Sequence, residues 1–202
     1  LMKIGEINTR EKVMIIAEIG NNHEGSYTLA EEMIGIAVEA GADAVKFQTI
    51  IPEKLVSIQQ KKRTKQLKKF QLSYDEFAKL SKVAKNEGAI FLSTPFDIDS
   101  ALFLNELVPA YKIASGDNDF YPLIKVIAEI GKPIIMSTGL MNLDELIKSV
   151  LFIKNIWQKN HNKEELALLH CVSSYPTPPE NANLLAINEL EQITDIVGYS
   201  DH

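Results

Sequence analysis

Tyr111-Lys112-Ile113-Ala114-Ser115-Gly116-Asp117-Asn118-Asp119-Phe120-Tyr121-Pro122-Leu123-Ile124 holds the repeating unit of this chain in its clearest form. It closes an apolar run, Val108 to Ile113, in which a lysine stands where a buried parallel strand favours Val or Leu. A hydroxyl, a glycine and a carboxylate follow at once, and a helix opens at Pro122. The order is strand, polar turn, helix, with charged groups at the strand's C-terminal end. In α/β folds that end carries the chemistry.

The same unit recurs on both sides. Upstream, Met14 to Gly20 reads as a short buried strand ending in Glu18, before the polar loop Asn21 to Ser26. A helix from about Leu29 to Ala40 follows, with Leu29, Met33, Ile36, Ala37 and Ala40 on one face and Gly41 as its stop. Ala42 to Gln48 is a second strand. Ala44, Lys46 and Gln48 alternate onto one face, and Val45 and Phe47 onto the other. Ser73-x-x-Glu76 is a capping box for a helix that turns Phe77, Leu80, Val83 and Ala84 inward. Strand three, Ala89 to Leu92, runs into Ser93 and Thr94, and a helix from about Asp99 to Leu107 leads back to the opening stretch.

Downstream, the helix from Pro122 to Ile130 stops at Gly131, and Pro133 to Met136 forms strand five, ending in Ser137 and Thr138. Asn142-x-x-Glu145 caps a long helix to about Lys159, with Leu146, Val150, Ile153 and Trp157 on one face. Leu166 to Val172 is strand six. A short helix near Leu185 to Ile193 precedes strand seven, Ile196 to Tyr199. Seven strands alternating with helices predict an α/β fold, a (β/α)8 TIM barrel that stops before strand eight. An open doubly wound sheet is the rival. It ranks lower because polar groups end every strand here instead of gathering at one switch point. No Gly-rich dinucleotide fingerprint and no P-loop occurs.

Composition narrows the class of function. No apolar run reaches the roughly 18 residues of a membrane span, and no signal peptide opens the sequence. The single cysteine, Cys171, excludes an internal disulfide and fits a reducing cytoplasm. A net charge of −6 argues against general nucleic-acid binding. Against that acidic background, Gln59 to Gln71 concentrates Lys61, Lys62, Arg63, Lys65, Lys68 and Lys69. It reads either as a solvated helix or loop, or as a positively charged flap near an anionic substrate.

Collected, the strand ends supply Glu18; Lys46 and Gln48; Ser93 and Thr94; Lys112, Ser115 and Asp117; Ser137 and Thr138; Ser173 and Tyr175; Ser200 and His202. Two lysines, several short hydroxyls and the amides beside Gly116 and Gly139 suit a phosphorylated carboxylate. Each Ser or Thr taken singly reads as a local turn hydrogen bond. For Lys46 and Lys112, the other readings are a snorkelling lysine and a Schiff-base lysine of a barrel aldolase. His161 reads as exposed, and His170 as a hydrogen-bonded core residue. His23 fits a structural bond or an active-site role equally. His202, at the mouth of strand seven, suits a metal ligand that needs partners. Cys171 reads as a small buried hydrophobe.

Read in order, these motifs resemble the sialic acid synthase family, the phosphoenolpyruvate-dependent synthases of nine-carbon 2-keto acids. The matching segments are Ile16 to Gly20 with Asn22-His23, Gly41 to Gln48, Leu92 to Phe96, Tyr111 to Asp117 and Tyr121 to Ile124. Met136 to Gly139, His170-Cys171 with Tyr175 to Pro178, and Gly198 to His202 complete the set. The resemblance covers about Lys3 to His202. It implies an incomplete synthase barrel over residues 1–202, with a C-terminal antifreeze-like domain absent from this chain and swapped across a homodimer. It also implies condensation of phosphoenolpyruvate with an open-chain N-acetylated amino sugar such as N-acetylmannosamine. Phosphate leaves by C–O cleavage, aided by a divalent metal, usually manganese, with magnesium or cobalt as alternatives.

Matched position by position, the resemblance assigns Lys46, Thr94, Lys112, Ser115, Ser137 and Ser200 to phosphoenolpyruvate. It assigns Glu18 to the reacting carbons, Gln48, Asp117 and Tyr175 to the sugar, and His202 to the metal. Asp117 stands where many members have glutamate, and Ser173 where some have asparagine. Both fall on the sugar side, so legionaminic, pseudaminic and spore-coat saccharide synthesis stay open. An anion- or partner-binding fragment without activity, and a Schiff-base aldolase, are the alternative functions.

Overall fold

A computed structural model describes residues 2–202. In chain order the elements are β1 (Lys3–Ile4), β2 (Ile7–Asn8), β3 (Ile16–Gly20), α1 (Tyr27–Glu39), β4 (Ala44–Thr49) and α2 (Pro52–Leu55). There follow α3 (Lys61–Phe70), α4 (Tyr74–Asn86), β5 (Ile90–Pro95), α5 (Ile98–Leu104), β6 (Tyr111–Ile113) and α6 (Tyr121–Ile130). The rest are β7 (Ile134–Ser137), α7 (Leu143–Lys159), β8 (Leu166–His170), α8 (Ile187–Leu190) and β9 (Ile196–Tyr199). The chain divides into two compact units, Lys12–Pro109 and Leu1–Glu11 with Ala110–His202. Among the described residues no helix is long and apolar enough to cross a membrane.

The Lys12–Pro109 unit is a three-stranded parallel sheet in the order β3-β4-β5. Its central strand alternates as the sequence predicts. Phe47 turns away from the Lys46 face and meets Phe91 at 5.6 Å and Phe77 of α4 at 6.2 Å, edge-on. Ser73 and Glu76 form the predicted capping box, which fixes where α4 starts. The register of β3 shifts between Glu18 and Gly20, and Gly20 takes φ 56° to turn the chain into its loop.

The second unit is a four-stranded parallel sheet in the order β6-β7-β8-β9, accompanied by the small antiparallel pair β1-β2. Asn142 and Glu145 form the second capping box, and Leu146, Val150, Ile153 and Trp157 are buried along α7 as expected. Gly131 ends α6 in the left-handed conformation. All seven predicted strands exist and all pair in parallel.

Several expectations need correction. The face of α1 that packs inward carries Ala30 and Ile34, whereas Leu29 and Ile36 are exposed. The helix is apolar on more than one side, so periodicity alone could not choose the stripe. The first strand is not wholly buried. It lies at the sheet edge, begins at Ile16, and leaves Ile15 exposed. Val108 and Pro109 stay outside β6, because Val108 N–H instead caps α5 by donating to the Leu104 carbonyl. The helix expected over Leu185 to Ile193 is a 3-10 turn, Leu184–Ala186, running into the one-turn α8. The β1-β2 pair and α2 had no clear signal, being two and four residues long.

Candidate active site

In a parallel sheet every strand's C-terminal end lies at the same edge, and the predicted site residues collect there in each unit. In the first unit, Glu18 of β3 stands directly across from Lys46 of β4, and the two form an ion pair. Lys46 is buried while Glu18 is half exposed, so the carboxylate is what meets water. A buried ammonium without such a partner would cost several kcal/mol. Lys46 Nζ also lies 3.4 Å from Thr94 Oγ1 on β5. Gln48 accepts from Asn21 Nδ2 at 2.7 Å, and Ser93 pairs with Thr49 through hydroxyls 2.8 Å apart. A side chain at Gly20 would crowd Glu18 Oε1 at 3.2 Å, so the backbone there leaves room for that carboxylate.

His23 sits in the loop after β3, fully buried, and its Nδ1 accepts the Gly25 N–H at 3.1 Å. Burial holds its imidazole below the ordinary value, against the opposing pull of Glu76, which favours the neutral ring with its proton on Nε2. Of the two roles open to His23, the structural bond is present at Nδ1, while Nε2 is buried without a hydrogen-bond partner.

In the second unit Lys112 is buried in β6 and donates to Ser137 Oγ at 2.6 Å and to the Ile113 carbonyl at 2.9 Å. Ser115 Oγ lies 3.0 Å from Cys171 Sγ. The β7 strand then runs out to Gly139, where an added Cβ would sit 2.8 Å from both Ser115 Oγ and Ser173 Oγ and 2.9 Å from Cys171 Sγ. Gly139 therefore marks a tight cradle ringed by two hydroxyls and a thiol. Asn118, itself buried, donates to the Ser137 and Gly139 carbonyls at 3.2 and 2.9 Å and holds that backbone. A turn asparagine is ordinary, so nothing in the sequence singles out Asn118, and Cys171 reads there only as a small buried hydrophobe. Cys171 is buried, but it also lines the cradle.

Asp117 lies in the 3-10 turn after β6, and its Oδ2 is buried without a hydrogen-bond partner. Burial, with a smaller push from Asp119, raises its carboxyl to about 6. His170 bonds the Ala182 carbonyl through Nε2 at 2.7 Å, the hydrogen bond expected of it, but it is half-buried and not a core residue. His161 is exposed in a left-handed turn. The N–H of Ser200 bonds the His170 carbonyl. Tyr175 is exposed, its ring 4.3 Å from that of His202.

His202 Nδ1 is buried without a hydrogen-bond partner, a state that suits a missing ligand to that nitrogen. No group of three or more His, Cys, Asp or Glu side chains stands together among the described residues. One imidazole does not make a metal site, and the residues present do not complete one.

The comparisons agree on the kind of protein this is. The family model described as "NeuB family" matches residues 33–202. The N,N'-diacetyllegionaminic acid synthase of Campylobacter jejuni is 39% identical over 208 residues, covering 95% of this chain and 61% of that protein. The pseudaminic acid synthase of the same species is 36% identical, covering all of this chain and 62% of its own length. The chain thus spans about three fifths of the curated relatives it matches. Among solved structures, the sialic acid synthetase of Leptospira borgpetersenii, in complex with citrate, superposes with a TM-score of 0.86 at 36% identity. That match covers 94% of this chain and 65% of the other. The chain belongs to the NeuB family.

Proposed function

We propose that the protein condenses phosphoenolpyruvate with the open-chain form of an N-acetylated amino sugar, giving a nine-carbon 2-keto sugar acid and inorganic phosphate. The observation that carries this reading is the buried Lys112–Ser137 pair beside the Gly139 cradle, at the strand ends of a NeuB-family sheet. An ammonium and short hydroxyls in a partly dry setting bind a phosphorylated carboxylate strongly. In this reading Lys112, Ser115 and Ser137, with Ser200, are phosphoenolpyruvate ligands of one unit. Lys46 and Thr94 are ligands of the other. Gln48, Asp117, Ser173 and Tyr175 serve the acceptor sugar. The strands close into a (β/α)8 barrel in the whole protein, which acts in the cytoplasm as a homodimer.

The C3 carbon of phosphoenolpyruvate bonds to the aldehyde carbon as the aldehyde C=O π bond opens, and its oxygen takes a proton from solvent. Water adds at C2 of the resulting cation, and the C2–O bond to phosphate breaks as the C2 hydroxyl becomes the ketone, its proton leaving with the phosphate. Glu18, the exposed partner of the Lys46 ammonium, receives the proton from that water. The lysines and hydroxyls hold the alkene in one pose, which lowers the entropic part of the barrel's barrier. A divalent metal, manganese or else magnesium or cobalt, would supply polarisation of the aldehyde and would take His202 as one ligand; the described residues do not complete its site, and no step here depends on it. A Schiff-base aldolase is the weaker reading, because both lysine amines are already committed as donors.

The test is an assay of the full-length protein with phosphoenolpyruvate and N-acetylmannosamine. Phosphate and a 2-keto acid released together support the reading. Pyruvate trapped on Lys46 or Lys112 by borohydride overturns it.

A further inference from the structure

Asn21 and Gln48 meet at the C-terminal edge of the first unit's sheet, beside Glu18. Gln48 shares a face of β4 with Lys46, and its side chain is half-buried. A carboxamide has an oxygen that accepts hydrogen bonds and a nitrogen that only donates them. Asn21 Nδ2 donates to Gln48 Oε1 at 2.7 Å, so the accepting end is taken. The donating end is turned elsewhere. Gln48 Nε2 and Glu18 Oε1 border one space, 3.7 and 3.2 Å from where a Cβ on Gly20 would stand. An amide oxygen on that side would face a carboxylate, so electrostatics also favour the nitrogen there. Gly20, without a side chain, leaves the space open.

The supports of this contact are stiff. Asn21 leads the loop after β3, where the Asn22 N–H bonds the Ile19 carbonyl and the Glu24 N–H bonds the Asn21 carbonyl, both at 3.0 Å. Buried His23 closes the same loop by accepting from the Gly25 N–H. These bonds use the backbone and His23, while the Asn21 carboxamide is directed at Gln48. Gln48 stands on β4, the central strand of its sheet. The last torsion of a glutamine is broad and roughly two-fold, so an untethered amide offers oxygen and nitrogen almost equally. A donor on a closed turn removes that freedom at Gln48.

We infer that Asn21 is a positioning residue for the acceptor sugar. By holding Gln48 Oε1 it leaves only N–H donors for the sugar, so that point of the site selects an oxygen that accepts. The inference rests on the reading that Gln48 serves the sugar. The test compares steady-state rates of the full-length protein with phosphoenolpyruvate and N-acetylmannosamine for wild type, N21A, Q48L and N21A/Q48L. N21A should raise the sugar KM about five- to tenfold, the worth of one oriented hydrogen bond. Its kcat and phosphoenolpyruvate KM should stay within about twofold of wild type. Asn21 is half-buried on a turn held by backbone bonds, so N21A should melt with wild type. In the Q48L background the same change should add nothing, because no amide is left to orient. An N21A effect of equal size in both backgrounds, or one that falls on kcat and phosphoenolpyruvate, overturns the inference. A sugar KM raised by Q48L and unmoved by N21A overturns it alone and leaves the condensation standing. A sugar KM unmoved by Q48L removes Gln48 from the sugar, and the inference with it. Absence of turnover by wild type removes the condensation and the inference together.

Discussion

A lysine inside a strand between Tyr111 and Ile113 has to be held by acceptors, and Lys112 has Ser137 Oγ and its neighbour's carbonyl. Replacing it with Met keeps the volume and removes the charge, and leaves Ser137 Oγ and the Ile113 carbonyl without that donor, at a cost of about 1–3 kcal/mol. Lys112→Met should therefore cut kcat/KM at least about a hundredfold while moving the unfolding temperature by only a few degrees. A variant that unfolds early, or turns over normally, contradicts the anion-binding role. Asp117 makes the opposite case, since its carboxyl is raised from 3.8 to about 6 by burial. Below about pH 4 it is largely protonated in both folded and unfolded chains, so the cost of its burial is absent there. The cost grows between about pH 4 and 6, where the unfolded chain has released the proton and the folded chain still holds it, and it is complete above 6. Solvent contact trims it to about 1 kcal/mol. Asp117→Asn should raise the unfolding temperature by about 2–4 °C at pH 7.5 and by nothing at pH 4. Thermal melts across that range decide, and an equal gain at both ends would point to some other cause.

At the scale of elements, the turn after β7 is closely held. Asn118 fastens its backbone from below, and Ser115, Ser173 and Cys171 crowd Gly139. Gly139→Ala should weaken phosphoenolpyruvate binding at least about tenfold and cost about 1–3 kcal/mol of stability, both measurable by titration and denaturant melts. Unchanged affinity would show that the cradle is not the binding surface. Elements were legible in the sequence to the extent that one signal specified them. The capping boxes at Ser73 and Asn142 place two helix starts to the residue, and the alternation of β4 separates Lys46 from Phe47. The face of α1 was not legible, because Leu29 and Ile36 compete with Ala30 and Ile34 for the core and only packing chooses. Asn118 and the Cys171 thiol were missed for a related reason. Their roles depend on residues about 20 and 56 positions away, and no local pattern announces such a contact.

At the scale of the whole molecule, parallel pairing carries the functional argument. Because β3-β4-β5 and β6-β7-β8-β9 each run parallel, polar residues placed last in each strand gather at one edge of their sheet without further design. That makes a chemistry-bearing edge readable from sequence order alone in each sheet, where Glu18 and Lys46 lie in the first unit and Lys112 and Ser137 in the second. Membership of the NeuB family then turns a general anion-binding edge into a proposal for carbon–carbon bond formation. The most direct measurement uses phosphoenolpyruvate labelled with oxygen-18 in the bridge between C2 and phosphorus, incubated with the full-length protein and N-acetylmannosamine. The label should leave in inorganic phosphate, because the C2–O bond breaks. Label retained in the organic product, with unlabelled phosphate released, would mean P–O cleavage and would contradict it.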